Sequence, residues 1–503
     1  MAIRRESTIR NPQSPMLLPW WAPMMCVAGV LWLMLWAGIN TGPWVFRRTP
    51  EGLREGVHYV RTALPLAVLA AAPLVGWTGY RRRRRKPSPR RGTVVAKRPF
   101  APAAKNRSAV PASSAGLPGP LLLWLLYGLV GFGASALSPR PPDAAYWGAC
   151  YLAVFAALAA YLRGGDPLRR AAELNWLTWA AVTGILAILC VVARHVLSSA
   201  VQGDMSAYNV MSATGGSVGG MAMSRSTGMA RFAAVPAVLA YVMLWRDKRL
   251  LRRVFWASLF AAACLLIYMM QARGTTFSLV FALAAATYAL GMRARVVGAA
   301  VLVVGALAVA AEVVPRETLG GVATHVTRGD SVDEMRGMTG RLRDWERSRP
   351  HVAASPVVGH GFQADRFLGF AVGGHIHNTY LYALLTAGGV GLGLFLAGLT
   401  WTWIAAWQLM RRATREQMGT SAMFAQSVGI LAFFTMRSIP EVSGALFAVD
   451  LMVMVPAMAY LALLARQRGE RMGPLQDRKS EIGSRRTDRS PSPADNGRLT
   501  TRP

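Results

Sequence analysis

Twelve stretches of mostly apolar residues, divided by short basic runs, restrict what this chain can become. They fall at roughly 18–38, 63–80, 119–138, 144–162, 175–194, 232–245, 254–271, 275–291, 296–313, 381–407, 421–437 and 442–465. A helix needs about 20 apolar residues to cross the hydrocarbon of a bilayer. Backbone amides in lipid must also be satisfied within their own segment, which favours helix over any open alternative. The expected fold is therefore all-α: a polytopic membrane protein with about 12 transmembrane helices and a large outer loop between helices 9 and 10. Only 16% of the residues are charged, against about 25% in soluble domains, so a soluble enzyme is excluded. The first stretch is too long and too far into the chain for a cleaved signal peptide. Spans seven and eight are separated only by Ala272-Arg273-Gly274, a spacing that predicts a helical hairpin. Trp20, Trp21, Trp124, Trp147, Trp176, Trp179 and Trp256 lie near span ends, as an interfacial aromatic belt would.

The formal net charge of +32 would point to nucleic acid only if it lay on a folded, water-exposed face. It lies in runs between spans, so no nucleic-acid partner is expected. Instead it sets orientation, because loops on the inner side carry the excess of Lys and Arg. With both termini inside, the inner segments hold 38 of the 56 basic residues and the remainder of the chain holds 18. The organisation that follows is a helix pair (1–80), a basic, Pro-, Ser- and Ala-rich linker (81–118), a membrane core (119–313), an outer loop (314–378), the last spans (379–465) and a basic tail (466–503). The linker and tail have the composition of disordered segments. Cys26, Cys150, Cys190 and Cys264 all fall in apolar stretches without a CxxC pair, which excludes a zinc finger or disulfide scaffold.

In this orientation all seven histidines face outward, five of them in the 314–378 loop beside eight arginines. The loop reads Thr339-Gly340-Arg341-Leu342-Arg343-Asp344-Trp345, then Pro356-Val357-Val358-Gly359-His360-Gly361-Phe362, then His377-Asn378-Thr379-Tyr380-Leu381, and leads to Ala387-Gly388-Gly389-Val390-Gly391 in span ten. Its spaced Trp345, Val352, Val357, Val358 and Phe362 predict short helices folded over the membrane surface. An Arg/Trp-bearing helix, a Pro-x-x-Gly-x-Gly turn and a His-Asn pair entering a Gly-containing span make this segment resemble the O-antigen ligase and polymerase family. Arg225-Ser226-Thr227-Gly228 and Ala272-Arg273-Gly274 are weaker echoes of the same family, with Ala272 where the family usually has Ser.

The resemblance implies transfer of polysaccharide from an undecaprenyl-diphosphate-linked donor to a hydroxyl of lipid A-core, or of a growing glycan, at the periplasmic face of the bacterial inner membrane. His377 is then the expected general base, a role contributing about 10²–10⁴-fold. Arg225, Arg273 and Arg341 are expected to hold the departing diphosphate, since a guanidinium is always charged and bonds phosphate oxygens in pairs. Asn378, Tyr380, His375, Gly359 and Gly361 are expected around the substrate, the two glycines chiefly as a turn requiring positive φ. Membrane lipids are the other partners, and no cofactor or metal is expected. His351, His360, His375 and His377 lack ligand spacing, and Asp330 and Asp333 form no Asp-x-Asp pair. Gly215 to Gly220 has no P-loop lysine. The repeat-unit polymerase is the close alternative, with a protein oligosaccharyltransferase third. A transporter is the different-class alternative and rests on Asp450. This is the one acid deep in a span, where burial costs at least about 2.5 kcal/mol, and Arg437 is its expected partner.

Overall fold

A computed structural model describes residues 22–39, 51–84, 116–163, 166–192, 217–218, 221–222, 226–270, 272–292, 341–370, 375–415 and 421–487. The helices are α1 (Ala22–Gly38), α2 (Glu51–Arg84), α3 (Gly119–Ala134), α4 (Pro141–Leu162), α5 (Pro167–Val192), α6 (Ser226–Arg246), α7 (Leu250–Met269), α8 (Arg273–Ala289), α9 (Arg341–Ala354), α10 (Ala364–Phe367), α11 (Thr379–Arg415), α12 (Ala422–Arg437) and α13 (Val449–Thr487). Apart from a 3-10 turn (Ser135–Leu137) and a two-residue antiparallel pair (Ser217–Val218 with Met221–Ala222), all regular structure among the described residues is α-helix. Eight of these helices are long and apolar enough to cross a membrane, and Cys26–Gly38 and Ala422–Arg437 are shorter apolar helices. The chain is a multi-pass membrane protein. The expected span at 296–313 and residues 314–340 of the outer loop lie outside the described residues.

The bundle is built around α13, whose first half is the most enclosed helical stretch. It packs against α5, α11, α12 and α3. Most of its buried side chains are apolar, among them Leu451, Met452, Val455 and Met458. The opposite extreme is α7, which turns Leu251, Val254, Phe255 and Leu265 outward as a lipid-facing helix would.

Four sequence expectations change here. First, α7 and α8 do not form a packed hairpin: α7 lies along α6 while α8 lies along α12 and α6. Second, residues 442–448 are irregular, and helix begins only at Val449. Gly444 takes φ +78°, and the Tyr127 hydroxyl donates to the Ala445 carbonyl at 2.8 Å. Non-helical backbone at this depth is tolerated because it is enclosed by protein. Third, span ten is broken at Ala387–Gly388. Fourth, Trp124 and Trp179 are core residues rather than members of an interfacial belt. Trp124 stacks on Phe395 (centroids 4.6 Å apart) and donates its indole N–H to the Phe395 carbonyl.

Candidate active site

The break in α11 is where the segment before it, residues 356–361, anchors itself. Residues Pro356 to Gly361 form a turn that bonds to both sides of the break. His360 N donates to Leu385 O (2.7 Å) and Gly361 N to Thr386 O (2.9 Å), while Gly389 N donates back to Pro356 O (2.7 Å). The turn thus supplies partners for the backbone groups that a kink would otherwise strand in the membrane. Gly359 and Gly361 have φ +72° and +84°. A Cβ on Gly361 would stand 2.5 Å from Ser135 Cα, so both glycines let the turn approach the bundle closely. Phe362, fully buried, follows as a wedge between Gly131 of α3 and Gly148 of α4.

From this anchor the chain returns through Asp365, whose carboxylate accepts from Ile376 N (3.1 Å), to the His377-Asn378 pair. Trp345 of α9 fixes the same strand, donating to the Ile376 carbonyl at 2.9 Å. His377 has φ +49°, an uncommon conformation for a non-glycine residue and one that concentrates at functional sites. It is enforced on its C-terminal side. Asn378 caps α11, its Oδ1 accepting from Tyr380 N and Leu381 N (both 2.9 Å) and its Nδ2 donating to Ile439 O (3.2 Å). Thr379 then stitches α11 to the 438–443 loop, donating to Glu441 O and accepting from Ser443 N.

That stitching brings Glu441 to the imidazole. His377 Nδ1 and Glu441 Oε2 are 3.0 Å apart, and the other carboxylate oxygen accepts from Arg341 Nη2 at 3.0 Å. Burial works to raise the Glu441 pKa. The hydrogen bond from His377 and the charges of Arg437, His377 and Arg341 outweigh it and hold the carboxyl at about 2. An ionised carboxylate can only accept, so Nδ1 carries the proton. When the ring is neutral, this tautomer keeps the lone pair on Nε2, on a side chain that is 22% exposed. A carboxylate-oriented imidazole of this kind can remove a proton from a hydroxyl and be stabilised as the imidazolium.

Behind the dyad lies a second charged set. Arg437, at the last turn of α12 and 4% exposed, donates to Thr275 Oγ1 at 3.0 Å. Its Nε lies 3.6 Å from Asp450 Oδ2. Asp450 Oδ1 accepts from Arg231 Nη1 at 2.8 Å, and Ser443 donates to Oδ2 at 2.7 Å. The expected Asp450–Arg437 pairing is therefore present, and Arg231 of α6 is a partner the sequence reading missed.

The structure thus brings His377, Arg341 and the start of α8 to one end of the bundle. Arg273 opens α8 two residues before Thr275, and Gly274 there would place a Cβ 3.4 Å from Pro440, next to Glu441. His375 sits beside this group, its ring centroid 6.4 Å from that of His377 and its Nδ1 3.4 Å from Asp365. Tyr380, Asn378, Gly359 and Gly361 build the frame described above. Arg225 lies outside the described residues. Glu441 was missed because it sits beyond the recognised motifs. Its signal was an arginine and an acid four residues apart, Arg437 and Glu441, in an otherwise uncharged connection between two apolar spans. Among the described residues no three or more His, Cys, Asp or Glu side chains converge as a metal site.

Fold and site together define a multi-pass membrane protein with a histidine–carboxylate–arginine cluster at one end of its bundle. Residues 258–396 match the family model described as O-antigen ligase. The match covers 139 of the 503 residues. The match spans Arg273, Arg341, His377 and Asn378 and stops short of Arg437, Glu441 and Asp450. No curated protein matches the chain.

Proposed function

We propose that this protein is a metal-independent O-antigen ligase-like glycosyltransferase of the bacterial inner membrane. It moves polysaccharide from undecaprenyl diphosphate to a hydroxyl of lipid A-core at the periplasmic face. The observation that carries the reading is the single cluster in which Glu441 holds both His377 and Arg341. The acceptor hydroxyl attacks the anomeric carbon, His377 Nε2 takes its proton, and the bond to the diphosphate oxygen breaks in the same displacement. Arginines receive the charge of the leaving group, the electrostatic contribution that dominates such reactions. Glu441 fixes the tautomer of His377 and stabilises its protonated form. The energy resides in the donor linkage, so no nucleotide site is required.

Lipopolysaccharide gels from a deletion strain test the assignment. Bare core with accumulated lipid-linked polymer is the expected pattern for a ligase. Core bearing a single repeat unit would identify the polymerase instead. The transporter reading loses its main support, because two arginines and Ser443 account for Asp450 without a proton relay.

Orientation has its own test. The distribution of Lys and Arg puts 81–118 and 466–503 in the cytoplasm and 314–378 in the periplasm. An outer-only thiol reagent should label Ser331→Cys and spare Ser480→Cys in a background without other accessible cysteines. The reverse pattern would invert the site and remove periplasmic transfer.

A further inference from the structure

The charged set around Asp450 is more cationic than it needs to be for its own stability. Among the described residues, Arg231, Arg341 and Arg437 are ion-paired with two carboxylates, Glu441 and Asp450. Surplus positive charge at the edge of a membrane is costly unless an anion joins it. The hydrogen bonding points the same way. A guanidinium has five N–H donors, yet the buried Nε atoms of both Arg231 and Arg437 lack a hydrogen-bond partner. An unmet buried donor is costly, so the set as it stands is short of acceptors.

The two arginines differ in access. Arg437 is enclosed, with a side chain 5% exposed, whereas the Arg231 side chain is 21% exposed. Asp450 grips Arg231 through Nη1, at 2.8 Å, and although its Nε is buried the side chain keeps an exposed portion. The connection to the reaction centre is continuous: Arg231 to Asp450, Asp450 to Ser443, Ser443 to Thr379, and Thr379 to the residue that holds His377.

We infer that Arg231 contacts the donor diphosphate, and that Asp450 is a positioning residue that holds Arg231 in place with Arg437 behind it. This rests on the lipid-diphosphate donor proposed above. The fork supplies paired donors to phosphate oxygens. Asp450 prevents the long side chain from swinging out to lipid headgroups, its usual destination near a helix end.

Binding of undecaprenyl diphosphate to the full chain in nanodiscs tests the inference, with Arg169→Gln, in an exposed pair with Glu173 on α5, as the reference variant. Arg231→Gln should weaken binding at least tenfold. Arg231→Lys, which keeps the charge and the ion pair, should fall between it and the wild type. The decisive variant is the double Arg231→Gln/Asp450→Asn. If Arg231 only neutralises Asp450, removing both groups restores wild-type affinity and overturns the inference. If Arg231 contacts the diphosphate, the double variant stays as weak as Arg231→Gln. Should Arg231→Gln fail to fold, wild-type affinity in a folded Arg231→Lys overturns the inference equally. Absence of binding by the wild type overturns the lipid-diphosphate donor itself, an outcome distinct from a wild type that binds and an Arg231 variant that binds as well.

Discussion

Replacing His377 by alanine is expected to abolish glycan transfer, by at least about 10³-fold, while the protein still inserts and accumulates. The figure combines loss of the general base, about 10²–10⁴-fold, with loss of the partner of Glu441. His375→Ala should cost less than tenfold, below about 1.4 kcal/mol of barrier, because its contact runs to Asp365 at 3.4 Å and not to the dyad. Glu441→Gln should approach the His377 effect, since an amide no longer dictates the tautomer or stabilises the imidazolium. Single-turnover transfer by purified variants measures all three. A folded His377→Ala protein with near-normal transfer would remove the base from the mechanism.

The pH dependence follows from the same pair. The folded-state value of Glu441 is depressed to about 2 from an ordinary 4.5. Its stabilising contribution is thus complete above the unfolded value and is lost only as pH falls through about 2. Glu441 is therefore ionised across the physiological range, and an acid limb in the rate profile above about pH 4 does not report its protonation.

Gly388→Ala should be the most destabilising glycine substitution in α11. Gly388 has φ +62° and ψ −165°, a conformation available essentially to glycine alone and costing about 1–3 kcal/mol for other residues. A Cβ there would also fall 2.1 Å from both the carbonyl carbon and the oxygen of Val357, so the anchoring turn would have to leave the break. With the turn displaced, the backbone groups at Leu385, Thr386 and Gly389 lose their partners inside the membrane. A loss of about 4 kcal/mol or more is expected, seen as little folded protein on size-exclusion chromatography. Gly393→Ala is the control, on the same helix with open space around it. There a methyl group removes backbone freedom from the unfolded chain, and stability should hold or rise by about 0.5–1 kcal/mol. Equal folded yield from both variants would show that the break tolerates a side chain and that the turn is not its support.

By itself the sequence determined what a bilayer enforces locally. Long apolar stretches bounded by basic runs become helices because lipid offers the backbone no other partner, and their positions were legible for that reason. Also legible were the Gly359 and Gly361 turn, the helix carrying Arg341 and Trp345, and the family resemblance of the motifs at about 339–391, because these depend on neighbours a few residues apart. Apolar composition alone, however, does not distinguish a buried helix from a buried loop, so residues 442–448 read as helix when Gly444 and the Tyr127 bond make them irregular. The pairing of α7 with α6, the docking of residues 356–361 into the break of α11, and the convergence of His377, Glu441, Arg341, Arg437, Asp450 and Arg231 were decided by the tertiary structure. Partners such as Arg231 and Asp450 stand 219 positions apart. No local propensity encodes such a contact; it exists because packing around α13 brings the ends of α6, α8, α12 and the 438–448 loop to one place.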